Sequence, residues 1–187
     1  MEKLKLFFAS DRKEWRVWLE KNFDKEKEIW LVLPKKSSGK SRIPYNDTVE
    51  EALCFGWIDS KQKSIDLENN AQRFSPRKPK SGYSQPNKER LKWLLQQNLL
   101  HPSILETAVK IASEKFVVPT DIISAIKSDK VAWGNYRKFS PAYQRMRIAY
   151  IDSARDREEE FKKRLENFIT KCRENKQIGF GGIEKYF

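Results

Sequence analysis

The apolar positions change rhythm along the chain. The first half mixes short β-like runs with helical spacing, and the second half keeps helical spacing alone. "LKLFFAS" (4–10) reads as a strand or extended lead into Ser10, a good helix N-cap. "DRKEWRVWLEKNF" (11–23) then sets Trp15, Trp18 and Leu19 on one helical face. "EIWLVLP" (28–34) is the clearest strand, ended by Pro34. "KKSSGKSR" (35–42) predicts a basic hairpin loop, with "IPY" (43–45) as a second strand pairing back. In "NDTVEEALCFGW" (46–57), Asp47 and Glu50 stand in capping-box register. Val49, Ala52 and Leu53 share a face there, and Gly56 is a natural C-cap. "KSIDLE" (63–68) and "AQRFS" (71–75) predict short strands, with Asn69-Asn70 as the turn pair.

From Ser84 onward every apolar stripe is helical. Leu91, Leu94 and Leu95 mark the first helix, with Pro86 in its first turn. Leu105, Ala108, Val109 and Ala112 mark the second, opened by "HP" at 101–102. "TDIISAIKS" (120–128) predicts a short capped helix after the break "VVPTD". Two longer helices follow, "SPAYQRMRIAYIDSAR" (140–155) and "DREEEFKKRLENFITKCREN" (156–175). The latter has Asp156 and Glu159 in capping-box register and an apolar stripe ending at Cys172. The tail "GFGGIEKYF" (179–187) reads as a flexible end. The expected fold is α+β: a small sheet with helices in the N-terminal half and a helical C-terminal half. The expected domains are 1–118 and 119–187.

Composition narrows the partners. The formal charge is +12 with a pI near 9.6, which favours anionic partners such as nucleic acid, acidic lipid headgroups or an acidic protein. High lysine content that merely solubilises a small protein explains the same number. Aromatics at 12% argue against disorder although 34% of residues are charged. With one His, two distant cysteines and no CxxC, a protein-built zinc site has no ligands, and no cofactor is expected. Cys54 and Cys172 read as buried reduced thiols. No apolar run reaches the roughly 20 residues needed to span a bilayer, so no membrane insertion is expected. The apolar lead at the start is too short for a signal peptide, which points to a cytoplasmic protein.

Neither GxGxxG, GxxxxGK[ST] nor GxSxG occurs. His101, alone before Pro102, suits a helix cap or the surface better than a triad. Chemistry concentrates instead in "GWIDS" (56–60) and "QRFSPRKPKSGYSQPN" (72–87). Asp59 shares a strand side with Trp57 and needs a partner, which the basic loop at 73–80 offers. Arg73 and Arg77 carry forked donors suited to phosphate or carboxylate, stiffened by Pro76 and Pro79 and bracketed by Phe74 and Tyr83. Single-stranded nucleic acid, an acidic small ligand and an internal salt-bridge web around Asp59 and Glu51 all suit this pattern.

"YNDTVEEALCFGWIDSKQKSID" followed by "QRFSPRKPKSGYSQPNKERLKWLLQQNLLHPSILETAV" resembles the YdeI/OmpD-associated, bacteriocin-protection family. The resemblance extends outward through "WRVWLEKN" and "EIWLVLPKKSSGKSRIPY". Downstream it takes in "VPTDIISAI" and "FSPAYQRMRIAYIDSARDREEEFKKRLENF". The chain departs from the family pattern at Tyr83, where Trp is usual, at "ARDREEEFKKRL" and at "NLLHP". The resemblance implies protection against antimicrobial peptides and association with an outer-membrane porin, with no cofactor and no established reaction. The expected function is a non-enzymatic binding or stress-protection module. It would take an anionic small molecule or an acidic protein surface at Trp57, Asp59, Arg73, Phe74, Ser75, Arg77, Ser81, Tyr83 and Asn87. The alternatives are a nucleic-acid-binding protein and an enzyme using Asp59 as acid or base.

Overall fold

Four strands, β1 (Leu6–Phe8), β2 (Ile29–Pro34), β3 (Trp57–Ser64) and β4 (Asn69–Pro76), form one sheet in the order β1-β2-β4-β3. β1 runs parallel to β2, and β4 is antiparallel to both β2 and β3. The computed structural model describes residues 4–79, 81–179 and 184–186. Most of the 179–187 tail, expected to be a flexible end, lies outside the described residues. Central β2 buries Ile29, Trp30 and Leu31 in succession, which explains its continuous apolar run.

Helix α1 (Arg12–Asn22) makes the crossover between the parallel strands. Its cap is Asp11 rather than Ser10. The Asp11 carboxylate accepts the Glu14 N–H at 2.9 Å, and the Glu14 carboxylate accepts the Ser10 N–H at 2.8 Å, so the reciprocal cap sits one residue further on. Trp15 and Leu19 are buried as their spacing requires, and Trp15 lies 5.2 Å from Phe74 across the core.

The expected hairpin at 35–45 does not form. Both sides of β2 are already paired, by β1 and β4, so "IPY" finds no partner edge. The chain instead makes a 3-10 turn at Lys36–Ser38 and buries Ile43. It enters α2 (Tyr45–Cys54) directly after Pro44, three residues before the start that an Asp47 cap would set. Glu50 does not serve a capping box there; it is fully buried and pairs with Arg12 at 3.0 Å. The β3–β4 turn falls at 65–68, where Asp66 accepts the N–H groups of Glu68 and Asn69, both at 2.7 Å. Asn69 and Asn70 are the first residues of β4.

The remaining helices are α3 (Gln85–Gln96), α4 (Pro102–Ser113), α5 (Thr120–Ser128), α6 (Lys130–Tyr136), α7 (Pro141–Asp152) and α8 (Glu158–Arg173). Helix α4 turns Ala108 and Ile111 inward and leaves Leu105 and Val109 exposed, a rotation away from the expected face. Helix α6 has no counterpart in the sequence reading. Asp129 ends α5 and immediately caps α6, its carboxylate accepting the N–H groups of Val131 and Ala132 at 3.0 and 2.9 Å. Ser140 caps α7, whereas α8 starts behind Arg157 without a side-chain cap.

The fold is α+β with a helical C-terminal half, as expected. Met1–Tyr83 with Arg90–Ala112 form one compact unit, and Ser84–Glu89 with Ser113–Phe187 a second. The first unit's core centres on Trp15, Leu19, Leu31, Trp57, Phe74 and Leu94. The second's centres on Ile122, Ile126, Tyr143, Ile148, Phe168 and Cys172.

Candidate functional site

Strand alternation sorts the expected site residues onto two faces of the sheet. Asp59 lies opposite Phe74 and Trp57 opposite Pro76, so these residues share the face that α1 covers. Phe74 is fully buried there and Trp57 nearly so. The Trp57 indole donates to the Phe23 carbonyl at 3.0 Å and meets Trp18 edge-on at 5.8 Å. Neither ring presents a face to solvent; both are core residues that fix the hairpin.

Arg73, next to Phe74, points to the other face beside Trp30. Its Nε and Nη2 both donate to one oxygen of Glu28, at 2.8 and 2.5 Å, and its Nη1 donates to Ser60 at 3.2 Å. The Arg73 bond, against a smaller effect of burial, holds the Glu28 carboxyl below its usual range. The expected pairing of Asp59 with a loop arginine is therefore replaced. Asp59 accepts a hydrogen bond from the Tyr45 hydroxyl at 2.5 Å, because the pleat sends Asp59 and Arg73 to opposite sides. Burial first, then the Asp59 carboxylate, push the Tyr45 phenol well above its ordinary value.

Arg77 begins the loop after β4, and its own N–H donates to the Gly56 carbonyl at 2.9 Å. The guanidinium carbon sits 3.8 Å from the centre of the Tyr83 ring, and Nη2 donates to the carbonyls of Gly82 (2.5 Å) and Ser81 (3.4 Å). Ser81 closes the loop from within, its hydroxyl donating to Lys78 O at 2.9 Å. Burial raises the Tyr83 phenol, against the pull of the Arg77 charge. Among the described residues no carboxylate forms an ion pair with Arg77, and Lys78 beside it is exposed. Arg77 is thus a guanidinium placed over a ring and tied to neutral carbonyls, with no acid among the described residues to balance its charge. Ser75 is half-buried on the Arg73 side of β4. Asn87 is buried in the first turn of α3 and belongs to the second unit.

Of the salt-bridge web that the sequence allowed around Asp59 and Glu51, the described residues show the Glu51 part, with Arg12 and Arg16 as partners. Glu51 is 3% exposed and accepts Arg12 Nε at 2.5 Å and Arg16 Nη1 at 2.7 Å, while Arg16 Nη2 reaches the Leu99 carbonyl at 2.8 Å. Burial opposes the charge on Arg12, but Glu51, Glu50 and Asp47 outweigh it and raise its pKa. This cluster joins α1 to α2 and had a sequence signal: Arg12 and Arg16, like Asp47 and Glu51, stand one helical turn apart. Glu28 and Tyr45 had none, since their roles follow from strand register and from where α2 begins. His101 is a cap residue, its Nδ1 accepting the Ser103 N–H at 3.3 Å. Both cysteines are free and buried, and burial pushes each thiol up to about 12. Among the described residues no group of three or more His, Cys, Asp or Glu could hold a metal ion, and no helix is long and apolar enough to cross a membrane.

Residues 7–107 match a family model described as Domain of unknown function (DUF8412). Residues 115–175 match one described as Bacteriocin-protection, YdeI or OmpD-Associated, so the resemblance expected from the sequence holds over that segment. Neither curated proteins nor solved structures supply a match. The first match spans more than half of the chain, and the chain belongs to the DUF8412 family.

Proposed function

We propose that this DUF8412 member is a binding module that recognises an anionic group through its Arg77–Tyr83 loop. The proposed role is protective, of the kind the description of its C-terminal match gives. The observation that carries the reading is the Arg77 guanidinium held at 3.8 Å over Tyr83, bonded to main-chain carbonyls and not to an acid. Such a group has already lost most of its rotamer freedom, so an incoming oxyanion meets an ordered donor. Lys78 and Ser81 stand beside it. Asp59, Arg73 and Ser75 belong to the supporting hairpin, with Trp57 and Phe74 fixing it from the core.

The test is thermal unfolding with rising inorganic phosphate at constant ionic strength, repeated with a short poly-glutamate peptide. Ligand binding to the native state raises Tm. Arg77→Gln is expected to lose the phosphate response, and Arg73→Gln to keep it because Glu28 already neutralises Arg73. Equal responses in wild type and Arg77→Gln sink the reading.

The +12 charge supports a second reading, binding of nucleic acid over the basic surface. That reading requires affinity for RNA or DNA at low salt that falls steeply as salt rises. It also requires little dependence on Arg77 alone.

A further inference from the structure

The second unit holds a cavity of about 300 Å³ lined from α7 and α8. Its floor is apolar, with Ile151 and Phe168 both 1% exposed. Its walls are cationic. Arg147 is 4% exposed and donates through Nη2 to the Ile178 carbonyl at 2.6 Å. Arg164 lies with its guanidinium carbon 3.9 Å from the centre of the Tyr150 ring, Nη1 donating to the Tyr150 carbonyl at 2.8 Å. Lys163 stands exposed at the rim beside Asn167.

Among the described residues the lining has a single carboxylate, Glu160, and it already accepts Arg164 Nε at 2.7 Å. Lys163 and Arg164 therefore share one acid beside an apolar floor. A neutral ligand would leave this excess charge unanswered. The volume stands at the lower end of the range for small-molecule sites, roughly 300–1,000 Å³, and is too small for a macromolecular segment. Arg164, held over the Tyr150 ring and bonded to the main chain, is ordered before any ligand arrives, which lowers the entropic cost of using it.

We propose that this cavity binds a small organic anion, one carboxylate or phosphate on an apolar body. Lys163, Arg164 and Asn167 take the charged head, and Ile151 and Phe168 take the apolar part. The proposal does not depend on Arg77, which lies in the first unit.

The experiment titrates the full chain with benzoate, phenyl phosphate and neutral benzamide. Binding is followed by calorimetry and by amide NMR shifts. Benzoate or phenyl phosphate is expected to shift resonances across 147–168, with benzamide silent; either ranking of the two anions supports the site and identifies its preferred head group. Lys163→Glu changes an exposed residue and is expected to weaken binding about tenfold, since attraction becomes repulsion at the same distance. Arg77→Gln is expected to leave the titration unchanged. The proposal is overturned if no anion shifts these resonances, if benzamide binds as tightly, or if Lys163→Glu has no effect. Loss of the response in Arg77→Gln overturns it too, because the anion then binds in the first unit.

Discussion

Gly56→Ala examines the turn that launches β3, and its cost can be worked from two separate causes. Gly56 has φ +73°, in the left-handed region, where a side chain costs roughly 1–2 kcal/mol. A Cβ there would also stand 2.6 Å from Ile104 Cδ1, far inside the ordinary contact distance of about 3.5–4.0 Å. Cδ1 is the far end of a flexible side chain, so the clash is relieved by an off-rotamer Ile104 at about 1 kcal/mol. The expected loss is about 2–3 kcal/mol in all. Ile104→Val deletes Cδ1 and leaves Cγ1 at an ordinary 3.5 Å; alone it costs about 0.5–1 kcal/mol. The double variant should therefore be about 1 kcal/mol more stable than the sum of the singles predicts. Urea unfolding followed by tryptophan fluorescence suits the measurement, because Trp15, Trp18, Trp30, Trp57 and Trp93 all lie in the first unit and Trp133 alone in the second. A loss under about 0.5 kcal/mol, or strict additivity with Ile104→Val, refutes the reasoning.

Three further outcomes are expected. Arg73 lowers the folded-state pKa of Glu28, so the stability it contributes is present above the unfolded carboxyl value of about 4.3 and is lost as pH falls through the folded value. The pair is nearly half exposed, so the contribution stays under about 1 kcal/mol. Glu28→Gln should flatten that part of the pH profile, read from urea midpoints near neutral pH and about pH 3. Cys54 and Cys172, buried with thiols pushed up to about 12, should resist a thiol reagent in the native chain and both react in urea; one fast native thiol contradicts their placement. Glu89 is 4% exposed and accepts Arg145 through Nε and Nη2 at 2.7 and 2.8 Å. Glu89→Gln should therefore cost about 2 kcal/mol in thermal or urea unfolding, and a neutral substitution there would contradict a buried ion pair.

Local signals were legible where the residue and its partner lie within one turn of chain. Trp15 and Leu19, the "IWLVLP" strand, the left-handed Gly56 and the Ser140 cap all follow from neighbours a few positions away. Non-local choices were not. Whether "IPY" pairs back depends on β1 and β4 occupying both sides of β2, and the β4 pairing arises some forty residues later. Asp59 and Arg73 looked complementary in one dimension, yet the register sets Asp59 against Phe74 and sends Arg73 to Glu28. Helix α6 was hidden for a different reason. Its seven residues include Gly134 and Trp133, too short a window for a 3.6-residue period to emerge, and the only local cue was Asp129 acting as the end of one helix and the cap of the next.

The two proposed anion sites share a motif that sharpens their comparison. Arg77 and Arg164 each place the guanidinium carbon close to the centre of a tyrosine ring, 3.8 and 3.9 Å away, and each bonds main-chain carbonyl oxygen through a terminal nitrogen. Stacking and carbonyl bonds orient a guanidinium without cancelling its charge, so both are ordered donors. They differ in electrostatic setting. Arg164 has Glu160 and the surplus comes from Lys163, so an anion there is held by two cations beside an apolar floor. Arg77 has no acid among the described residues but lies on a loop, where a bound anion remains in contact with water and is screened by salt. Phosphate binding that fades quickly as chloride rises therefore assigns the Arg77 loop. Retention of an apolar anion at high salt assigns the cavity, because burial of its body is not screened. A single salt series on wild type, Arg77→Gln and Lys163→Glu separates the two.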